Sequence, residues 1–226
     1  MRKILGLVVS TAILSASSVS AHFVFIVPDT GGNARIIFSD TLKPDENVAI
    51  EKIDNTKLSL RDADGKDQPL EKKVDKSSYL AAIPGEGTRI VHGSTSYGVL
   101  QRGDSKPFLL TYYSKTVLGD FVTAEKATLG NVPVEIVPIV EGKTIRFQAL
   151  VNGKPLAKAE INVMPPEEKS ENLVGDEKGL TKAFEKSGLY GVRVRLIENK
   201  GGEADGKKYD ESRAYATLVI TFAPAR

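Results

Sequence analysis

The chain has 226 residues, with 31 Lys and Arg against 29 Asp and Glu and a formal net charge of +2. It contains no cysteine, no tryptophan, two histidines and two methionines, so disulfides, thiolate catalysis and thiolate metal sites are excluded. The near balance of charge gives no reason to expect a nucleic acid or an anionic membrane as partner.

The first 21 residues predict an export signal. Met1-Arg2-Lys3 leads into an apolar stretch from Ile4 to Leu14, and small residues follow, ending in Val19-Ser20-Ala21. That is the positive, apolar and small-residue layout of a secretory signal peptide, and its apolar run is too short to span a bilayer. Cleavage after Ala21 makes His22 the first residue of a mature chain of about 205 residues, enough for one large or two modest β domains. With Arg2 and Lys3 removed, 29 basic residues face 29 acidic ones. No second apolar segment is long enough to cross a bilayer, so a soluble periplasmic or secreted product is expected. Random placement would put one of two histidines first roughly one time in a hundred. A cut after Ser20 is also allowed by side-chain size, and it would leave Ala21 in front of the histidine.

The rest reads as β. Phe23–Pro28 is a first strand, followed by the turn-prone run Asp29 to Asn33. Ala34–Phe38 and Asn47–Ile50 are further short strands on either side of the Lys43-Pro44-Asp45 turn. Lys57–Arg61 leads into a hairpin-like turn at Asp62-Ala63-Asp64-Gly65. Ser78–Ile83, Thr88–His92, Ser96–Gln101 and Phe108–Ser114 complete the first half. A second unit begins near Asn131. Val134–Val140 and Thr144–Val151 are strands, and Asn152-Gly153 is the pair favoured in a tight hairpin. Ala159–Val163, a polar loop over Pro165–Asn172, Leu180–Phe184, Gly191–Ile197, a polar loop over Asn199–Asp210 and a last strand Ala214–Phe222 follow. No stretch carries sustained helical periodicity with caps. The expected fold class is all-β: residues 22–130 form one β-sandwich and residues 131–226 another, after the signal peptide at 1–21.

Several segments resemble one group of exported bacterial proteins. They are Ala21-His22-Phe23-Val24-Phe25-Ile26-Val27-Pro28, Tyr112-Tyr113-Ser114-Lys115, Val151-Asn152-Gly153-Lys154-Pro155-Leu156, Gly188-Leu189-Tyr190, Asp205-Gly206-Lys207-Lys208-Tyr209 and Tyr215-Ala216-Thr217-Leu218. That group carries a domain of unknown function and is met beside nickel/cobalt uptake systems of the energy-coupling-factor type. The resemblance implies a periplasmic nickel-binding component, a membrane nickel/cobalt transporter as partner, and the mature amino-terminal histidine as a metal ligand. The second half alone is similar to transthyretin-like repeats of the carboxypeptidase-regulatory type, which implies a small Ig-like or transthyretin-like sandwich. Members of the group often carry extra histidines, whereas this chain has only His92 besides His22.

An amino-terminal histidine offers a metal its α-amine and the Nδ1 of its own ring, closing a six-membered chelate. A second imidazole from a neighbouring strand completes a histidine brace, three nitrogens in a T-shaped plane. Such planar nitrogen sets suit Ni(II) and Cu(II), with copper favoured in raw affinity. The amine, near 8, and the imidazole, near 6.5, must shed protons on binding, so affinity falls in acid. His92 is the only second imidazole, at the end of Thr88–His92 and just before Gly93. Its ordinary alternative is a sandwich-edge histidine hydrogen-bonded to backbone. Asp40, Asp104, Asp120, Tyr97, Tyr112 and Met164 are candidates for a further position, each also explicable as a turn or packing residue.

Other signals are weaker. Asp62-Ala63-Asp64-Gly65-Lys66-Asp67 has its glycine out of register for a calcium-binding helix-loop-helix. Arg102-Gly103-Asp104-Ser105 is an adhesion tripeptide that reads as a β-turn, and no Gly-x-Ser-x-Gly elbow is present. No catalytic set is recognisable. The leading expectation is capture of Ni(II) or Cu(II) by His22 and His92 for delivery to an uptake system. The alternatives are a copper-dependent oxidative enzyme of the brace type, weakened by the absence of tryptophan, and a structural or adhesive sandwich without metal.

Overall fold

The computed structural model describes residues 22–119 and 124–224, so the expected signal peptide and Asp120 lie outside the described residues. The first half contributes β1 (Phe23–Pro28), β2 (Asn33–Ser39), β3 (Lys57–Arg61), β4 (Asp67–Pro69), β5 (Lys73–Asp75), β6 (Ser78–Ala82), β7 (Arg89–Leu100) and β8 (Phe108–Leu118). The second half contributes β9 (Val134–Glu141), β10 (Thr144–Val151), β11 (Lys154–Pro155), β12 (Glu160–Met164) and β13 (Glu171–Val174). It closes with β14 (Gly188–Glu198), β15 (Gly202–Ala204), β16 (Lys207–Tyr209) and β17 (Glu211–Phe222). Two short 3-10 turns, Ile50–Ile53 and Ala124–Ala127, are the helical segments among the described residues, and no described helix is long and apolar enough to cross a membrane.

The centre of the molecule is an eight-stranded sheet in the order β13-β12-β14-β17-β8-β7-β3-β4. Its middle is the parallel pairing of β8 with β17, from Glu211 opposite Phe108 to Ile220 opposite Val117. This pairing joins the two halves of the chain into one sheet, across the boundary expected near residue 131. A four-stranded sheet (β1-β2-β6-β5) and a three-stranded sheet (β11-β10-β9) accompany it, with β15-β16 as a separate hairpin.

Strand alternation sorts the core into two. On β8, Tyr112 and Ser114 face the four-stranded sheet, while Lys115 and Val117 face β9. One cluster gathers Phe23, Phe25, Ile37, Phe38, Leu60 and Tyr112, and the other gathers Ile90, Val117, Ile136, Phe147, Tyr190 and Leu218. The large sheet is the shared wall between them.

The first strand meets this wall edge-on. The carbonyls of His22 and Val24 point away from β2, where a free strand edge would leave them bare. The Tyr112 hydroxyl donates to His22 O at 3.1 Å, and Ser114 Oγ and Thr217 Oγ1 donate to Val24 O at 2.8 and 2.6 Å.

Several expectations need correction. Asn47–Ile50 is not a strand: Asp45 Oδ1 accepts from the Asn47 backbone N–H, which bends the chain, and Ile50 and Ile53 are buried from a 3-10 turn. Thr88–His92 and Ser96–Gln101 are one strand, β7, with a bulge between Ser96 and Gly98. Leu180 and Phe184 make only single bridges to Gln148 and Ile145. The polar stretch Asn199–Asp210 folds into the β15–β16 hairpin, and the loop expected over Pro165–Asn172 gives way to β13 at Glu171. Asn152 and Gly153 both take positive φ, 49° and 73°, as a two-residue hairpin of the mirror-image type requires.

Candidate functional site

His22 immediately precedes β1, and its position is set by the packing of that strand. The Tyr112 hydroxyl holds its carbonyl, and its ring lies 5.4 Å from that of Phe38. Behind them stand Tyr97 and Tyr215, with Tyr215 stacked on Tyr112 at 5.9 Å and Phe23 edge-on to both Tyr112 and Tyr215. Burial raises the Tyr112 phenol far above its ordinary value, so it remains a neutral donor.

The imidazole reaches across to the turn after β2. His22 Nε2 and Asp45 Oδ2 are 2.7 Å apart, with both side chains partly buried. The His22 bond, joined by the Asn47 N–H, holds the Asp45 carboxyl below its ordinary value, so at neutral pH it is ionised and can only accept. Nε2 therefore carries the proton, and in the neutral ring Nδ1 keeps its lone pair. A carboxylate behind the remote nitrogen of a histidine is the usual support of a metal-binding imidazole, fixing the tautomer and the ring plane. Asp45, which the sequence places in a turn, is the side-chain partner of the His22 ring. Register also brings Asp40 beside His22, since Phe23 pairs with Ser39.

His92 belongs elsewhere. It pairs with Lys115 on β8 and with Ser59 on β3, which puts it on the face that looks toward β9. Its Nε2 lies 3.1 Å from Asp67 Oδ1. The Arg61 guanidinium, bonded to both oxygens of Asp67, is the main cause of a carboxyl pKa of about 2, with His92 adding to it. Burial lowers the His92 pKa, against the opposing pull of Asp67. The structure does not bring the two histidines together: His22 is held on one face of the large sheet and His92 on the other, with different partners. The three-nitrogen brace expected from His22 and His92 is therefore not assembled in this fold, because position 92 has the strand parity of Lys115 and not that of Tyr112.

The other candidates separate in the same way. Tyr112 and Tyr97 stand in the aromatic cluster at His22, whereas Asp104 is exposed in the turn after β7. Met164 ends β12 near Leu42 and Gly191. Among the described residues, no group of three or more His, Cys, Asp or Glu side chains could hold a metal ion.

Around His92 the chain builds a second polar constellation. Lys115 and Glu135, each 3% exposed in its side chain, pair at 2.8 Å. Lys115 Nζ also donates to Ala127 O, and Glu135 accepts from the backbone N–H groups of Leu129 and Gly130. Burial pushes the Glu135 carboxyl up, but the Lys115 ammonium and these donors outweigh it, and the net shift is downward. Arg61 Nη1 donates to Leu129 O. Together these bonds pin the linker between the two halves onto the large sheet.

No protein-family model matches this chain, and no curated protein matches it.

Proposed function

We propose that the chain is an exported periplasmic metal-binding protein that captures Ni(II) or Cu(II) at its mature amino terminus and passes it to a membrane uptake system. One observation carries the reading: the 2.7 Å bond from His22 Nε2 to Asp45 leaves Nδ1 as the nitrogen with a lone pair. Nδ1 is the ring nitrogen that closes a six-membered chelate with the α-amine released by cleavage after Ala21. The Tyr112 bond to the His22 carbonyl supports the same geometry, because it fixes the backbone from which both donors project.

A chelate of two nitrogens leaves coordination positions open to water or to an acceptor's ligands, and Asp40 stands next to it by register. Open positions favour transfer of the ion. The oxidative alternative requires a second imidazole on the same metal, and His92 faces the other way. The resemblance to exported components of nickel/cobalt uptake supports nickel as cargo, while intrinsic affinity ranks copper higher. The transthyretin-like reading of residues 131–226 accords with the β9–β10 sheet packed on β14 and β17.

The test is a calorimetric titration of Cu(II) and Ni(II) into the mature chain beginning at His22, beside the same chain with its α-amine acetylated. The proposal expects one-to-one binding in the first and its loss in the second, because the acetylated nitrogen has no basic lone pair and no neighbouring amine to close a chelate. Equal binding in both chains, or none in either, would overturn it.

A further inference from the structure

The face of the large sheet that carries His92 borders a partly open cavity of about 220 Å³. That volume equals roughly seven waters at about 30 Å³ each, the size of a compact organic molecule. One wall, from β3, β7 and β8, supplies Lys57, His92 and Lys115; the facing wall, from the linker and β9, supplies Leu129, Val132 and Val134. A concave space with mainly apolar lining and a few convergent polar groups is the usual form of a small-molecule site.

The polar groups define what would fit. Two lysines and one glutamate line the cavity, so the lining carries one positive charge in excess. Lys115 is opposed by Glu135, and its ammonium has three N–H groups, of which Ala127 O and Glu135 Oε2 take two. Lys57 is exposed at the rim, and Tyr113, half-buried with its phenol kept neutral by burial, adds a hydroxyl donor. Positive charge therefore exceeds negative charge among the ionisable side chains of a lining that is more apolar than polar. We propose that this cavity binds a compact organic carboxylate with an apolar body, at a site separate from the mature amino terminus. The carboxylate lies between Lys57 and the remaining Lys115 N–H, and the apolar body lies against Leu129, Val132 and Val134. The clustering of His92, Tyr113, Lys115 and Glu135, all with shifted titration, at one cavity is a further mark of a functional site.

The experiment uses the metal-free mature chain and fluorine NMR with 4-fluorobenzoate, against 4-fluorobenzyl alcohol as the neutral probe of similar shape. Two variants leave the buried pins intact: Lys57→Gln removes the rim charge, and Ser94→Phe fills the space from the partly exposed position opposite Lys57 and Tyr113. Melting curves check that both variants fold. Saturable binding of the carboxylate, at least about tenfold weaker binding of the alcohol, weakening in Lys57→Gln and loss in Ser94→Phe are expected. Absence of saturation up to millimolar probe, equal binding of the two probes, or undiminished binding in folded Ser94→Phe would overturn the proposal. None of these readouts depends on His22 or on metal, so the two sites fail or stand separately.

Discussion

His92 stands directly opposite Lys115 in the β7–β8 ladder, and the two side chains share the face of the large sheet that looks toward β9. Three positions back along β8, Tyr112 points through the other face to the carbonyl of His22. An odd number of steps along a strand reverses the face, and this parity gives the two histidines of the chain different faces and different partners.

The Lys115–Glu135 pair anchors the linker between the halves through Ala127, Leu129 and Gly130. Removing one partner leaves a charge without its counterion in an apolar layer. Lys115→Met is expected to lower the unfolding free energy by about 3–5 kcal/mol, and the double change Lys115→Met with Glu135→Leu to recover most of that loss. Urea denaturation of the two single variants and the double variant measures the coupling.

Acid should weaken this face in two stages. The His92 pKa is lowered in the folded protein, so its contribution is full above the ordinary value of 6.5 and is lost as pH falls through the folded value. Asp67 is held at about 2, below its ordinary 3.8, so its contribution is full above 3.8 and is lost as pH falls toward 2. His92→Gln is expected to flatten the stability profile just below pH 6.5, and Asp67→Asn to flatten it below pH 4. Unfolding free energy followed against pH in both variants checks the two windows. A profile in His92→Gln that still falls like the parent's below pH 6.5 would remove His92 as the cause.

Much of the strand layout was legible from pattern. Phe23–Pro28 lies where its continuous apolar run puts it and Thr144–Val151 where alternation does, and Asn152-Gly153 makes the turn its residues require. The join between halves was not legible, because β8 and β17 are about a hundred residues apart and nothing local encodes a parallel partner. His92 could be assigned to a strand, but its face depended on which residue of β8 lay opposite. Asp45 was visible as a turn residue after Lys43-Pro44, yet the direction of its carboxylate followed from the bend that Asn47 stabilises.

Val24 O accepts from both Ser114 Oγ and Thr217 Oγ1, so either hydroxyl alone still satisfies it. Ser114→Ala and Thr217→Val are each expected to cost about 0.5–1.5 kcal/mol. The double variant is expected to exceed their sum, since the buried carbonyl then has no donor. It should also weaken metal binding at the amino terminus by loosening β1. Chemical denaturation gives the first comparison and metal titration the second.

The most direct measurement is pulsed electron paramagnetic resonance of Cu(II) bound to the mature chain, read for the number of coordinated imidazoles, in the parent and in His92→Gln. One imidazole is expected in both, together with loss of the bound signal in His22→Ala. Two imidazoles in the parent, reduced to one in His92→Gln, would contradict it and would mean that both histidines meet at one metal.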